Sequence, residues 1–259
     1  MARRARWNII SRSNGYAEIE LFSWKYFHDF VYQEMLDMNH YIWRGQRCDN
    51  WQLLSTLDRA LTGRSSARPR ERHLENFKLS ARGRRGVNPP SMTSDNDWWA
   101  LGQHYGLATP LLDWTTSPFV AAYFAFAQNK KPQTVRRAVW ALSTVSTMQK
   151  SKELQRLHPA TERPPIVEIL RPMSDENSRL VSQGGLFTRS PDGVALEDWI
   201  RTNFSGQTSA ILAKITVPDE DRKACLTSLT RMNINHLSLF PDLYGAGTYC
   251  NLGLEISNY

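Results

Sequence analysis

The chain has 259 residues, a net charge of +7 and 41% hydrophobic residues. A chain of this length buries roughly 70–75% of the surface its unfolded form exposes, so it builds a sizeable core without staples. No apolar run reaches the ~20 residues that span a bilayer. Three cysteines, Cys48, Cys225 and Cys250, are too few and too scattered for a disulfide framework or a metal-ligand pair. The basic excess points to an acidic partner, nucleic acid among them.

Met1-Ala2-Arg3-Arg4-Ala5-Arg6-Trp7 is charged, and no apolar stretch follows it. A secretion signal is therefore not expected, and the sparse cysteines suit a reducing cytoplasm. Residues 17–38 place Leu21, Trp24, Phe27, Val31 and Met35 at near-helical spacing, which predicts an amphipathic helix. Tyr41-Ile42-Trp43 is a β-type run ended by Gly45. Arg64, Arg68, Arg70, Arg72, Lys78, Arg82, Arg84 and Arg85 face only Glu71 and Glu75 within their stretch. Such a run is either a solvated face or a surface for phosphate contact. Residues 67–80 and 97–105 read as helices, with Asp97 a candidate N-cap of the second.

Leu111-Leu112-Asp113-Trp114-Thr115-Thr116 reads as a strand. Ser117-Pro118 then opens a helix over 119–127, with Ser117 at the cap and Pro118 at the first helical position. That helix is apolar nearly all round, so it is expected to be buried. Strands are expected at 138–142, 166–170, 185–188 and 210–217, and a helix near 219–231. Strands and helices mix without strict alternation, which makes the class α+β.

Several familiar sites are excluded. There is no Walker A loop, no G-x-G-x-x-G, no H-E-x-x-H and no G-x-S-x-G, and the six histidines show no paired spacing, so no metal is expected. Polar groups inside two apolar segments remain. Arg44 ends a short strand, where a guanidinium is either a structural ion-pair partner or aimed at an anion. Gly45 beside it would let a ligand approach the backbone. Asp113, Thr115, Thr116 and Ser117 lie between Leu112 and a buried helix, where each unbonded polar group costs about 1–3 kcal/mol. Capping explains Ser117 well and the others less well. Gln103-His104-Tyr105-Gly106 lies just upstream and offers an aromatic surface and a ring nitrogen.

Tyr41-Ile42-Trp43-Arg44-Gly45-Gln46, Gln103-His104-Tyr105-Gly106-Leu107 and Leu111-Leu112-Asp113-Trp114-Thr115 resemble the FRG domain family, with Trp43 where its signature has Phe. Residues 179–187 resemble its R-x-x-x-Q-x-G-x-F segment, and Leu239-Phe240-Pro241-Asp242-Leu243 its L-F-P-D-L. Ala108-Thr109-Pro110 stands where the family reads P-T-R, so a basic residue is lost beside the motif. The likeness runs from about residue 41 to 247. It implies a single domain with that core and a helical N-terminal extension over residues 1–40.

More distantly, the order of elements is similar to ADP-ribosyltransferases of the Arg-Ser-Glu type. That resemblance implies a mixed or antiparallel split β-sheet flanked by helices, with NAD as co-substrate. Arg44 would hold NAD, and Thr115-Thr116-Ser117 would brace the nicotinamide pocket. Trp43, Gly45, Gln46, His104 and Tyr105 would complete that binding site, with Trp43 or Tyr105 stacking on the nicotinamide. Gln183 stands where the catalytic Glu is expected and supplies no full charge. Asp113, Glu168, Glu176 and Glu197 are the alternative acids. The catalytic set expected by resemblance is Arg44, Asp113, Thr116, Ser117 and Gln183. The implied function is a toxin or phage-defence effector modifying a macromolecule. RNA would be the acceptor, Arg64, Arg68, Arg70, Arg72, Arg82, Arg84 and Arg85 its contacts, and an antitoxin or chaperone a further partner. The competing expectation is a non-catalytic NAD- or nucleic-acid-binding regulatory module.

Overall fold

A computed structural model describes residues 5–62, 68–158, 164–172, 178–257 and 259. Its centre is an open eight-stranded sheet. In chain order the strands are β1 (Trp7–Ser13), β2 (Tyr16–Leu21), β3 (Tyr41–Gln46), β4 (Leu111–Thr115), β5 (Arg136–Ser143), β6 (Glu168–Leu170), β7 (Gly185–Arg189) and β8 (Leu212–Pro218). Their spatial order is β1-β2-β8-β5-β3-β4-β7-β6. Only β2 and β8 run parallel; every other neighbouring pair is antiparallel. The class is α+β.

The helices are α1 (Phe27–Phe30), α2 (Thr56–Ala60), α3 (Arg68–Ser80), α4 (Asp95–His104), α5 (Pro118–Phe126), α6 (Thr144–Leu157), α7 (Ser178–Ser182), α8 (Leu196–Asn203), α9 (Arg222–Arg231), α10 (His236–Leu239) and α11 (Leu243–Glu255). One face of the sheet packs Trp43, Val139, Ala213 and Ile215 against α5 and α9. The other packs Ile42, Trp140 and Leu142 against Trp199 and Ile200 of α8. Helices on both faces make a three-layer domain.

The N-terminal segment departs from expectation. It is not a helical extension, because β1 and β2 form one end of the sheet. Within 17–21, Ala17, Ile19 and Leu21 are buried while Glu18 and Glu20 pair with Lys214 at 3.0 Å and Arg136 at 3.0 Å. That is a period of two, which a strand satisfies and a helix does not. Helical turns begin only at Trp24 and end in a π turn at Val31–Met35. Asn14 and Gly15, at φ 51° and 72°, make the two-residue turn joining β1 to β2. Positive φ at both positions matches the right-handed twist of the flanking strands.

Ser94, not Asp97, caps α4. Asp97 sits at the third helical position and closes a capping box. Helix α5 is held as its sequence implies at the start, with the Ser117 hydroxyl accepting from Val120 N at 3.3 Å. Its last carbonyls meet cations, Arg137 donating to Ala125 O at 2.7 Å and Arg222 to Phe126 O at 3.0 Å. Positive charge at a helix C-terminus is stabilised by the negative end of the macrodipole. Among the described residues, no helix is long and apolar enough to cross a membrane.

Candidate functional site

The site begins where the sheet opens. β3 keeps an unbroken register with β5 from Tyr41 to Gln46, but it shares one pair with β4, Trp43 opposite Thr115. Continued antiparallel register would set Gly45 opposite Asp113. The strands part instead, and Arg44 Nη1 donates to the Asp113 carbonyl at 2.7 Å. The guanidinium stands where a ladder donor would have been. Asp113 Oδ2 lies 3.6 Å from the same nitrogen and accepts from Gln103 Nε2 at 2.9 Å. The buried Thr109 hydroxyl donates to Gln103 Oε1 and orients that amide.

A cavity of about 340 Å³ fills the opening. Trp43, Phe124, Phe187 and Phe240 make its apolar wall, and Arg44, Gln103, His104, Asp113, Arg179 and Gln183 its polar one. That volume is within the range of small-molecule sites. Among the described residues, Asp113 is the only carboxylate in the wall. Arg179 is engaged by Asp242, with Nε 2.8 Å from Oδ2, and lies over Phe240. Burial, reinforced by Arg179 and opposed by Asp242, holds the His104 imidazole below its ordinary 6.5, which favours the neutral ring. Burial also lowers the Arg44 guanidinium; Asp113 opposes this and nearby Arg59 adds to it.

A second cleft of about 900 Å³ adjoins the first and shares Arg44, Gly45 and Phe124 with it. Arg47, Trp51 and Arg59 line it. The Nε atoms of Arg44 and Arg47 are buried and have no partner among the described residues. Sequence reasoning missed this cleft. Its signal was weak: Arg47 follows β3, and Arg59 is on the short helix α2 beyond the loop that carries Trp51.

The expected residues fall into different places. Trp43, Arg44, His104, Asp113, Thr115 and Gln183 do meet in the first cavity. The Thr115 hydroxyl donates to Gln183 O at 2.6 Å and accepts from Ser117 N at 3.1 Å, and Thr116 N donates to Gly184 O at 3.0 Å. These bonds pin the Gln183 segment to the end of β4. Thr116 and Ser117 are outside the cavity wall, because one anchors that segment and the other caps α5. Gln46 points across the sheet to accept from Trp140 Nε1 at 2.8 Å, and reaches only the second cleft. Tyr105 is 70% exposed and away from the wall.

Gly45 is a glycine for a different reason from the one expected. A Cβ there would overlap the Ala121 carbonyl oxygen and the Ala125 nitrogen, so α5 occupies the space reserved for a ligand. The Gln183 amide is tied to Leu239 O at 3.1 Å. Of the alternative acids, Glu197 accepts from Leu53 N at 3.0 Å and Glu168 is in the edge strand β6, both away from the cavity; Glu176 lies outside the described residues. Among the described residues, no group of His, Cys, Asp or Glu is arranged to hold a metal ion.

The basic stretch divides similarly. Arg64 lies outside the described residues. Arg70 is 13% exposed in its side chain and bridges Asp58 at 2.6 Å and Asp192 at 3.1 Å, so its charge is engaged within the fold. Lys78 is held by Glu75 and Asp95. Arg85 donates to Pro90 O at 2.6 Å and lies over Trp98. Arg68, Arg72, Arg82 and Arg84 are exposed.

Residues 39–134 match the family model of the FRG domain. The matched span takes in β3, the Arg44 opening, the Gln103–Asp113 pair and α5. The Arg179–Gln183 segment and Phe240 lie beyond it. No curated protein and no solved structure matches the chain.

Proposed function

We propose that the chain is an NAD-dependent ADP-ribosyltransferase-like toxin or defence effector that modifies a macromolecule, with RNA as the acceptor. The observation that carries this reading is the splayed β3–β4 junction. There Arg44 stands between an aromatic cavity and a cationic cleft, with a carboxylate, Asp113, facing it across the gap. The fit rests on the donors present: Arg44 keeps a buried, unpartnered Nε, and an arginine fork suits phosphate.

NAD supplies an ADP-ribosyl group whose bond to nicotinamide breaks with the electron pair leaving on nicotinamide. Trp43, Phe124 and Phe240 would hold the flat apolar ring and exclude water. Arg44 would clamp a phosphate at the mouth. Asp113, oriented by Gln103, would place negative charge beside the developing cationic ribose carbon. The Gln183 Nε2 donates to Leu239 O and so is engaged within the fold. Exposed Arg68, Arg72, Arg82 and Arg84 on and after α3 would draw in a nucleic-acid backbone.

The second reading is a non-catalytic NAD- or nucleic-acid-binding module. It is favoured by Gln183 itself and by the lack of a glutamate in the cavity wall among the described residues. Incubation with labelled NAD and total RNA, DNA and protein separates the two. Label transfer or nicotinamide release supports the transferase, and NAD binding with neither supports the module. Asp113→Asn should abolish turnover while NAD affinity stays within about twofold. Arg44→Ala should weaken NAD binding about tenfold or more while the fold survives. Unchanged binding would return Arg44 to a purely structural role.

A further inference from the structure

We infer that the larger cleft is a nucleotide-diphosphate subsite that takes an adenosine-diphosphate group, with Arg47 and Arg59 on the phosphates and Trp51 against the base. This rests on the reading of the aromatic cavity as the nicotinamide end of an NAD site, and it assigns residues that the family resemblance does not.

The charge balance is the first argument. Arg44, Arg47 and Arg59 all line this cleft, and among the described residues no carboxylate does. Like charges brought together raise the free energy of the empty site, and an anion relieves that repulsion. The second argument is unsatisfied donors. Arg44 Nε and Arg47 Nε are buried and unpartnered among the described residues. A buried donor left without a partner is costly, and phosphate oxygens would satisfy both.

The third argument is orientation. Arg47 donates to Gln128 Oε1 at 2.7 Å and lies 4.9 Å over the Trp51 ring. Arg59 donates to the Leu54 carbonyl and to Thr56 Oγ1 at 3.2 Å. Both guanidinium groups are thus held in place before a ligand arrives, so little side-chain freedom is lost on binding. Trp51 is 38% exposed, with Arg47 on its ring, and a purine would extend that stack. The concave shape favours a small nucleotide over a polymer, whose backbone tracks open grooves. The two cavities meet at Arg44, so a dinucleotide spanning both must pass its phosphates across that guanidinium.

Calorimetric titration of the full chain with ADP, pyrophosphate, NAD, nicotinamide mononucleotide and a single-stranded RNA oligomer tests this. ADP should bind and compete with NAD. Arg47→Gln and Arg59→Gln should each weaken ADP and NAD about tenfold while leaving nicotinamide mononucleotide within about twofold. Trp51→Ala should weaken ADP more than pyrophosphate. Failure of ADP to bind the wild-type chain would overturn the subsite. So would ADP affinity unchanged in both arginine variants, or a loss confined to RNA. Because Arg59 also holds backbone, melting curves accompany each variant, and Arg47→Gln with Arg59→Lys carries the test if Arg59→Gln fails to fold. ADP binding with this pattern but no NAD cleavage keeps the subsite and removes the transferase. NAD cleavage with indifferent ADP affinity does the reverse.

Discussion

Two groups of basic residues behave in opposite ways. Those on and around α3 are dense in sequence, yet the fold neutralises part of the set: Arg70 bridges Asp58 and Asp192, and Lys78 bridges Glu75 and Asp95. Arg44, Arg47 and Arg59 are fewer and form no dense run, yet they converge on one cleft with no acid lining it among the described residues. Density of charge along a chain therefore says less about an anion site than convergence in space. A cation with no facing acid is the one a phosphate can neutralise.

The comparison breaks most sharply at Arg70. If it is structural, Arg70→Ala leaves the 3%-exposed Asp58 carboxylate without its cation and should destabilise the fold by about 3–5 kcal/mol in urea unfolding. A loss confined to RNA binding would place Arg70 with the ligand contacts instead. Gly45→Ala comes next. The added methyl meets the α5 backbone, so a loss of about 2–3 kcal/mol is expected in the same measurement. A stable variant with reduced NAD binding would restore the ligand-approach role. Smaller still is the contrast between Arg59→Gln and Arg72→Gln, which remove the same charge. ADP affinity should fall about tenfold, near 1.4 kcal/mol, for the first and stay within about twofold for the second.

Replacing Arg82 and Arg84 by Gln should leave stability within about 0.5 kcal/mol. It should flatten the slope of log affinity for RNA against log salt by about 1.4, two single-strand phosphate contacts. An unchanged slope assigns that surface to solvent. The smallest effect belongs to the aromatic cavity and its surroundings. Burial holds both His104 and His236 below 6.5. As pH falls past 6.5 the unfolded chain takes up protons first, so stability present above that pH is lost in the window beneath it. His236→Gln should reduce the loss in unfolding curves between about pH 7.5 and 5, and an identical pH profile would contradict the shift.

Much of the opening was legible in residues. Ser117, Pro118 and the apolar run to Phe126 predict a cap and a buried helix, and these form as read; the strand expected to end at Gly45 instead runs through it to Gln46, because Gly45 keeps its pairing with Val139 of β5. Arg44 and Asp113 stand out as polar groups in apolar surroundings and do meet. The β1–β2 hairpin was also legible, in Asn14-Gly15 and in the alternation of Ala17, Ile19 and Leu21, but the helical spacing of Trp24, Phe27 and Val31 masked it. Helix α6 was not expected at all: its exposed, polar Thr144–Leu157 sequence carries a weak apolar stripe, and packing against β5 and β6 supplies what periodicity does not.

By itself the sequence determined the local events: caps, turns, the buried helix and the α+β class, because these follow from neighbours a few residues apart. The tertiary structure alone decided which polar groups remain for a ligand. Thr116 and Ser117 are consumed in anchoring and capping, the Gln183 amide is turned to Leu239, and Gly45 is filled by α5. Arg47 is tied to Gln128, a partner far along the chain. Each of these outcomes depends on partners distant along the chain, and hydrogen-bond satisfaction and burial can be reckoned only once those partners are in place.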